Sequence, residues 1–236
     1  MNISEYWEQK SVVSMSDPRV SRLESEIISR FVKSTDSVLN VGCGDGSGCF
    51  LYRDKCKSYT GLEKSKEMMS RFKSQSTHSI LQGDILEVEY LGKFSCIISQ
   101  RCIINLETLT NQTIALKKMI NFLEEKGTLI ICEAFEEGLN NLNEARTLLG
   151  VKPIIPHWHS LYLSDDFFEN QPIKLIAEHD LSGYFLLTRV LHAALVEVPL
   201  TDSKINELAE KLQLENKLFQ NIKDFSFIKI KVFEKC

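Results

Sequence analysis

No uninterrupted apolar run in this chain approaches the ~20 residues that a bilayer-spanning helix needs, so no transmembrane segment is expected. The first ten residues, Met1 to Lys10, are polar and acidic and lack the apolar centre of a secretory leader, which points away from export. No Cys-x-x-Cys pair occurs among Cys43, Cys49, Cys56, Cys96, Cys102, Cys132 and Cys236. An odd count of seven, with several inside apolar runs, suits reduced thiols and a cytoplasmic setting better than a disulfide frame or a zinc site. Basic charge is also short: 28 Lys and Arg against 32 Asp and Glu give a net charge of −4 and an isoelectric point near 5.8. The lysines are scattered among glutamates without forming a stripe, so nucleic acid is not an expected partner. Internal repeats, low-complexity tracts and linkers are absent too.

What is present is an ordinary globular composition, 43% hydrophobic and 25% charged, and one unusual stretch. From Val38 to Gly48 the chain reads Val-Leu-Asn-Val-Gly-Cys-Gly-Asp-Gly-Ser-Gly, a buried-strand pattern running into four glycines in seven residues. Glycine permits positive φ and close backbone approach to a ligand, and a helix following such a turn would add unpaired N–H groups. The register narrows the ligand. A G-x-G-x-x-G dinucleotide fingerprint begun at Gly42 needs glycine at Ser47, and begun at Gly44 needs it at Cys49. A triphosphate-binding loop needs Gly-Lys-Ser/Thr, and no lysine lies between Val38 and Tyr52.

Helical spacing of Val20, Leu23, Ile27, Ile28 and Phe31 after Asp17-Pro18 predicts a capped helix ahead of the glycine strand. Further on, strands are predicted at 58–63, 78–82, 94–99 and 127–133, with helices at 64–73 and 108–123. Strands spaced by crossover helices imply a three-layered α/β architecture around a parallel sheet. Beyond Phe135 helices are predicted at 140–149, 184–195 and 202–214 and strands at 173–179 and 225–233, the last as an edge-type strand closing the chain. Between them, Pro156-His157-Trp158-His159-Ser160-Leu161-Tyr162 is an irregular segment of functional character. The whole, 1–236, is expected to be one domain.

The glycine stretch, the acidic Glu63 ending the second strand and Gly83-Asp84-Ile85 together resemble the motifs of class I S-adenosylmethionine-dependent methyltransferases. The resemblance implies a Rossmann-like seven-stranded sheet, mostly parallel with an antiparallel last strand, with helices on both faces and helical and loop insertions forming a substrate cap. It makes 1–135 the cofactor-binding half and 136–236 the cap and last strands. S-adenosyl-L-methionine is the implied cofactor and S-adenosyl-L-homocysteine the product. Tyr6, Asn40, Gly42, Cys43, Gly44, Glu63, Lys64, Asp84, Ile85, Ser99 and Gln100 are the implied cofactor residues. Gly42 to Gly46 would pass the methionine end, Glu63 would accept from the ribose diol, and Asp84 with Ile85 would meet the adenine. Tyr6-Trp7 resembles an aromatic closing over the cofactor. Asn40 stands where the family often places an acid near the cofactor's amino end; it can accept a hydrogen bond but brings no charge.

Ligands of parallel sheets lie beyond the carboxyl ends of the strands, which directs attention to Ser99-Gln100-Arg101 and Glu133. Asn143 and Arg146 follow at i, i+3 on one helical face, then His157, His159 and Tyr162, then Tyr184 and Arg189. Arg101-Cys-Ile-Ile-Asn105-Leu, Glu133 through Arg146, Trp158 to Tyr162 and Tyr184 to Arg189 resemble a bacterial small-molecule subgroup associated with surface polysaccharides. Histidine suits a general base because its ordinary pKa lies near neutrality. Spacing alone does not separate His157 from His159; the resemblance selects His159. Arg101, Arg146 and Arg189 suggest a phosphate or carboxylate on the acceptor. His157, His159 and Glu133 form a workable metal set, but no metal site is assigned. The expected activity is O-methylation of a small polar, anionic or phosphorylated metabolite or nucleotide-linked sugar precursor. The alternatives are N-methylation of a small amine and a non-catalytic cofactor-binding or scaffold protein.

Overall fold

A computed structural model describes residues 2–13, 17–73, 78–196 and 200–236. Seven strands form a single sheet: β1 (Ser37–Val41), β2 (Ser58–Glu63), β3 (His78–Gln82), β4 (Phe94–Gln100), β5 (Leu123–Ala134), β6 (Ile173–Asp180) and β7 (Ile228–Lys235). Their order is β3-β2-β1-β4-β5-β7-β6. β1 to β5 pair in parallel, while β7 runs antiparallel to both β5 and β6. This is the seven-stranded methyltransferase sheet expected, with β2 and β3 at the predicted limits.

Chain order reverses direction at β1: the path to β2 and β3 goes one way, and that through β4 and β5 the other. Right-handed crossovers in opposite directions place their connections on opposite faces and leave a crevice between the ends of β1 and β4. Helix α2 (Pro18–Ser29) is N-capped by Asp17, with Pro at its start, and buries Val20, Leu23, Ile27 and Ile28. A six-residue helix, α3 (Lys66–Arg71), packs beside β2 and β3, and α4 (Leu109–Phe122), capped by Thr108, packs on β4 and β5. α5 (Glu136–Leu148) follows β5. The 184–195 helix is a continuous helical run from Ser182 to Leu195: α6 (Ser182–Phe185), a π-helical turn over Leu186–Leu191, and α7 (His192–Leu195). α8 (Lys204–Glu215) and α9 (Lys217–Gln220) follow, with α8 packed against α2 and α6. The chain's own start forms α1 (Ile3–Trp7), closed by an Asn2/Glu5 capping box.

Two expectations are corrected. Residues 42–57 fold as consecutive turns and no helix follows the glycines. Gly42, Gly44 and Gly46 hold φ of 69°, 57° and 80°, a left-handed backbone that does not propagate a right-handed helix. And β7 is not an edge strand; β6 is the edge, and β7 lies between it and β5. The alternation of β7 reads as edge-like because Lys229 and Lys231 occupy one face, yet they are only 3% and 7% exposed. Lys231 meets Asp165 at 3.0 Å and Glu178 at 2.7 Å, Lys229 meets Asp165 at 2.5 Å, and both ammonium groups lie over Phe135. Paired charges of this kind pass for surface in a sequence.

Candidate active site

A cleft of about 560 Å³ opens at the carboxyl ends of β1, β2 and β4, within the size range of small-molecule sites. Its floor is the glycine turn, braced on β2: Gly42 and Cys43 donate N–H bonds to the Leu62 carbonyl at 2.8 and 3.2 Å, and Gly44 donates to Glu63 Oε2 at 2.8 Å. The turn therefore offers close approach and not a set of free amides. At Gly42 a side chain is barred twice, by positive φ and because a Cβ would come within 2.5 Å of Cys102 Sγ.

Glu63 accepts from Gly44 N–H and, through Oε1, from Ser65 N–H at 2.8 Å. Burial raises its pKa, against the pull of these backbone bonds. Each oxygen keeps a lone pair for a ligand hydroxyl. Beside it Lys64 Nζ pairs with Asp84 Oδ2 at 2.9 Å while Asp84 Oδ1 accepts from Leu86 N–H at 2.9 Å. Gly83, Asp84, Ile85 and Leu86 line that end.

The N-terminal segment crosses the cleft as a strap. Ile3, Ser4, Trp7 and Glu8, at helical spacing, share the face that lines it. Tyr6 is turned away toward the rings of His157, Trp158 and His159. Glu8 accepts from Lys66 and Glu67 N–H at 2.9 and 3.2 Å, capping α3, and Ser65 Oγ donates to the Trp7 carbonyl at 3.0 Å.

From Asn40, near the end of β1, runs a buried polar chain. Asn40 Nδ2 donates to Tyr59 Oη at 2.9 Å and Tyr52 Oη at 3.2 Å, Tyr52 donates to Gln100 Oε1 at 3.1 Å, and Gln100 Nε2 donates to Glu24 Oε2 at 2.9 Å. Glu24, fully buried, accepts Arg101 Nε at 2.9 Å. Asn40 Oδ1 has no partner among the described residues. The fully buried Ser99 lies beside Gln100 but turns the other way, donating to Glu133 Oε1 at 2.6 Å.

Glu133 also accepts from Cys102 and Ile103 N–H at 2.9 and 3.0 Å, so it holds the short 3₁₀ turn Ile103–Asn105 from below. Burial pushes its carboxyl up to about 7 in spite of these donors. Arg101, at φ 53°, turns the chain from β4 into that 3₁₀ turn, and its carbonyl accepts Asn105 Nδ2 at 2.7 Å. Asn105 lines the cleft and reaches His159: Oδ1 lies 2.8 Å from His159 Nδ1. With Nδ2 committed to the Arg101 carbonyl, Oδ1 is the acceptor, so His159 carries its proton on Nδ1 and leaves Nε2 bare. Burial, then the neighbouring His157, lowers the pKa of His159, which keeps it neutral at pH 7.

Like Tyr6, Ser99, Glu133 and His159, the remaining predicted residues, all in the second half of the chain, lie outside the cleft lining. Asn143 clasps the backbone of Ile154 through both amide atoms, at 2.7 and 2.9 Å, and Arg146 donates to the carbonyls of Lys152 and Arg189. Arg189 pairs with Asp17, the cap of α2. Tyr184 is fully buried, accepting from Asn206 at 3.3 Å, and Tyr162 stacks on Phe227. The three arginines thus already have protein partners. Glu133 and His159 are separately engaged, and among the described residues no three metal-ligating side chains come together. Glu24, Tyr52 and Tyr59 are the site residues that the sequence reading passed over, while Trp7 and Asn105 entered it only within stretches carried by the resemblance. Glu24 carried a signal: a carboxylate four residues after Val20 falls on the apolar stripe of its helix.

Residues 32–161 match the family model described as "Methyltransferase domain". Among curated proteins, none matches the sequence. The fold is similar to N-methyltransferase NodS from Bradyrhizobium japonicum WM9, solved with S-adenosyl-L-homocysteine, at TM-score 0.65 and 14% identity over 100% of this chain and 99% of that one. It is also similar to magnesium protoporphyrin IX methyltransferase from Synechocystis PCC 6803, at TM-score 0.56 and 11% identity over 99% and 93%. A match to DesVI from Streptomyces venezuelae, 24% identical at TM-score 0.45, spans about half of each chain, 50% of this one and 52% of DesVI. With its matched segment covering the glycine turn, the acidic end of β2 and the walls of the cleft, this chain belongs to the methyltransferase domain family, as an S-adenosylmethionine-dependent enzyme.

Proposed function

We propose that the enzyme O-methylates a small polar metabolite, with His159 as the base that takes the acceptor hydroxyl's proton on Nε2. The observation that carries this is the 2.8 Å bond from His159 Nδ1 to Asn105 Oδ1, since it fixes the tautomer of a neutral histidine beside a residue of the cleft wall. When bound, the cofactor supplies a methyl group on a sulfonium. The chain's own part is to bind, align and exclude water, worth several kcal/mol where reacting atoms are held in line. Glu63 receives the ribose hydroxyls, Asp84 and Ile85 the adenine, and Asn40 Oδ1 the amino end, while the α1 strap with Trp7 covers the cleft. Base assistance adds roughly 10² to 10⁴ in rate.

The resemblance to enzymes of surface-polysaccharide pathways supports a small metabolite or nucleotide-linked sugar as acceptor. The arginine pairs give no support to an anion grip, so the acceptor's polar groups, not a phosphate, carry this reading. The test is incubation with methyl-labelled S-adenosylmethionine and a metabolite extract, with the labelled product identified by mass spectrometry. His159→Ala is expected to lower turnover at least about a hundredfold. Asn105→Asp puts a carboxylate on Nδ1 and favours the charged ring, so the acid limb of the kcat/KM profile moves to higher pH. Undiminished turnover in His159→Ala would select N-methylation of a neutral amine, and cofactor binding without any labelled product would select a non-catalytic role.

A further inference from the structure

The buried chain beneath the methionine end has a direction, and that direction is set at the end farthest from the ligand. A guanidinium only donates and a carboxylate only accepts. Glu24, paired with Arg101, therefore presents acceptors alone, and Gln100 must turn its amide nitrogen toward Glu24, at 2.9 Å. That leaves Gln100 Oε1 facing Tyr52, whose single hydroxyl proton goes to it at 3.1 Å. The Tyr52 oxygen can then only accept, and it takes Asn40 Nδ2 at 3.2 Å while Tyr59 takes the other hydrogen at 2.9 Å. Both amide hydrogens are spent, and among the described residues Asn40 Oδ1 stands without a partner on a residue 2% exposed that lines the cleft. A buried acceptor left unpaired is costly, and a ligand donor offsets that cost.

We infer that the Glu24–Arg101 ion pair, acting through Gln100 and Tyr52, locks the Asn40 amide with its oxygen toward the cleft, so that the methionine end selects an ammonium donor without a carboxylate of its own. Glu24 and Tyr52 line no part of the cleft and are positioning residues. With the polarity reversed, Asn40 would present its amide nitrogen and repel the ammonium. The inference rests on S-adenosylmethionine being the donor.

Calorimetry on the purified full chain tests it with two ligands, S-adenosylhomocysteine and its analogue carrying hydrogen in place of the amino group. The wild-type protein is expected to prefer the amino-bearing ligand by about tenfold or more, the size of one charge-assisted hydrogen bond. In Tyr52→Phe no proton direction is imposed on Asn40, because Tyr59 alone can donate or accept. That preference is expected to fall about tenfold while the affinity for the deamino analogue stays within about twofold. Glu24→Gln, whose amide can present either atom to Gln100, is expected to act likewise; should it fail to fold, Tyr52→Phe decides alone. Equal losses for both ligands, or no change in the ratio, overturn the inference. A wild-type protein that binds neither ligand removes the donor assignment itself and the inference with it, and so is told apart from a failure of the relay.

Discussion

Glu133 is a buried carboxyl with four donors around it and no cation. Its folded pKa, about 7, stands above the ordinary carboxylate value, so the folded state binds its proton more tightly than the unfolded chain does. The stability from this group is therefore complete below the unfolded pKa and is lost as pH rises through about 7. Glu133→Gln keeps an acceptor for Ser99 and the 102–103 amides and removes the titration. Chemical denaturation across pH 5 to 8 is expected to show wild-type stability falling on the order of 3 kcal/mol relative to the variant. Parallel curves would mean that this carboxyl ionises as an exposed one does. His159, with its lowered pKa, has the opposite bearing: burial favours its neutral form, so any stability it contributes is lost as pH falls and not as it rises.

At the scale of elements, the strap is held by very little. α1 spans five residues, buries none of them, and joins the body through Glu8 on α3, the Trp7 carbonyl on Ser65, the Val12 carbonyl on Arg71 and the rings of Tyr6 and Trp7 against His157, Trp158 and His159. Elements with few buried contacts open at small cost, which suits a cover that must admit and release cofactor. Glu8→Ala removes the cap on α3 and with it one of these ties. Stopped-flow displacement of S-adenosylhomocysteine is expected to show dissociation several-fold faster, with the thermal midpoint nearly unchanged. An unaltered dissociation rate would mean that the strap does not gate the cleft. The strands β2 and β3 were legible to the residue because alternating or short apolar runs bounded by Gly and Lys have one reading. The turns at 42–57 were not, because a helix was expected after the strand and glycine turn by pattern, whereas Gly42, Gly44 and Gly46 hold positive φ and the chain continues as turns.

Across the molecule, the last strand completes the sheet from within, so the second half of the chain supports the first: β7 pairs with β5 along seven residues from Thr128 to Ala134. Ligand binding at one edge of the crevice should therefore register as stability of the whole. At a hundred times its Kd, S-adenosylhomocysteine adds about 2.7 kcal/mol, and a chain of this size gains roughly 2–4 °C per kcal/mol. A thermal midpoint raised by about 5–10 °C is expected in differential scanning fluorimetry; a flat response at saturating ligand would count against the donor assignment.

The sequence by itself determined the strand order's raw material, the glycine turn with its excluded registers, and the acidic positions Glu63 and Asp84, because each depends on local geometry or fixed spacing. Spacing left His157 and His159 equivalent, and the choice of His159 came from the resemblance. Only the tertiary structure decided what the buried charges do. Arg101, Arg146 and Arg189 look alike as residues, yet Glu24, the Arg189 carbonyl and Asp17 claim them across long stretches of chain, and the nearby Lys152 carbonyl also holds Arg146. The direction of Asn40's amide was likewise out of reach of the sequence, since a hydrogen-bond chain through α2, β4 and β1 has a polarity only after those elements have packed.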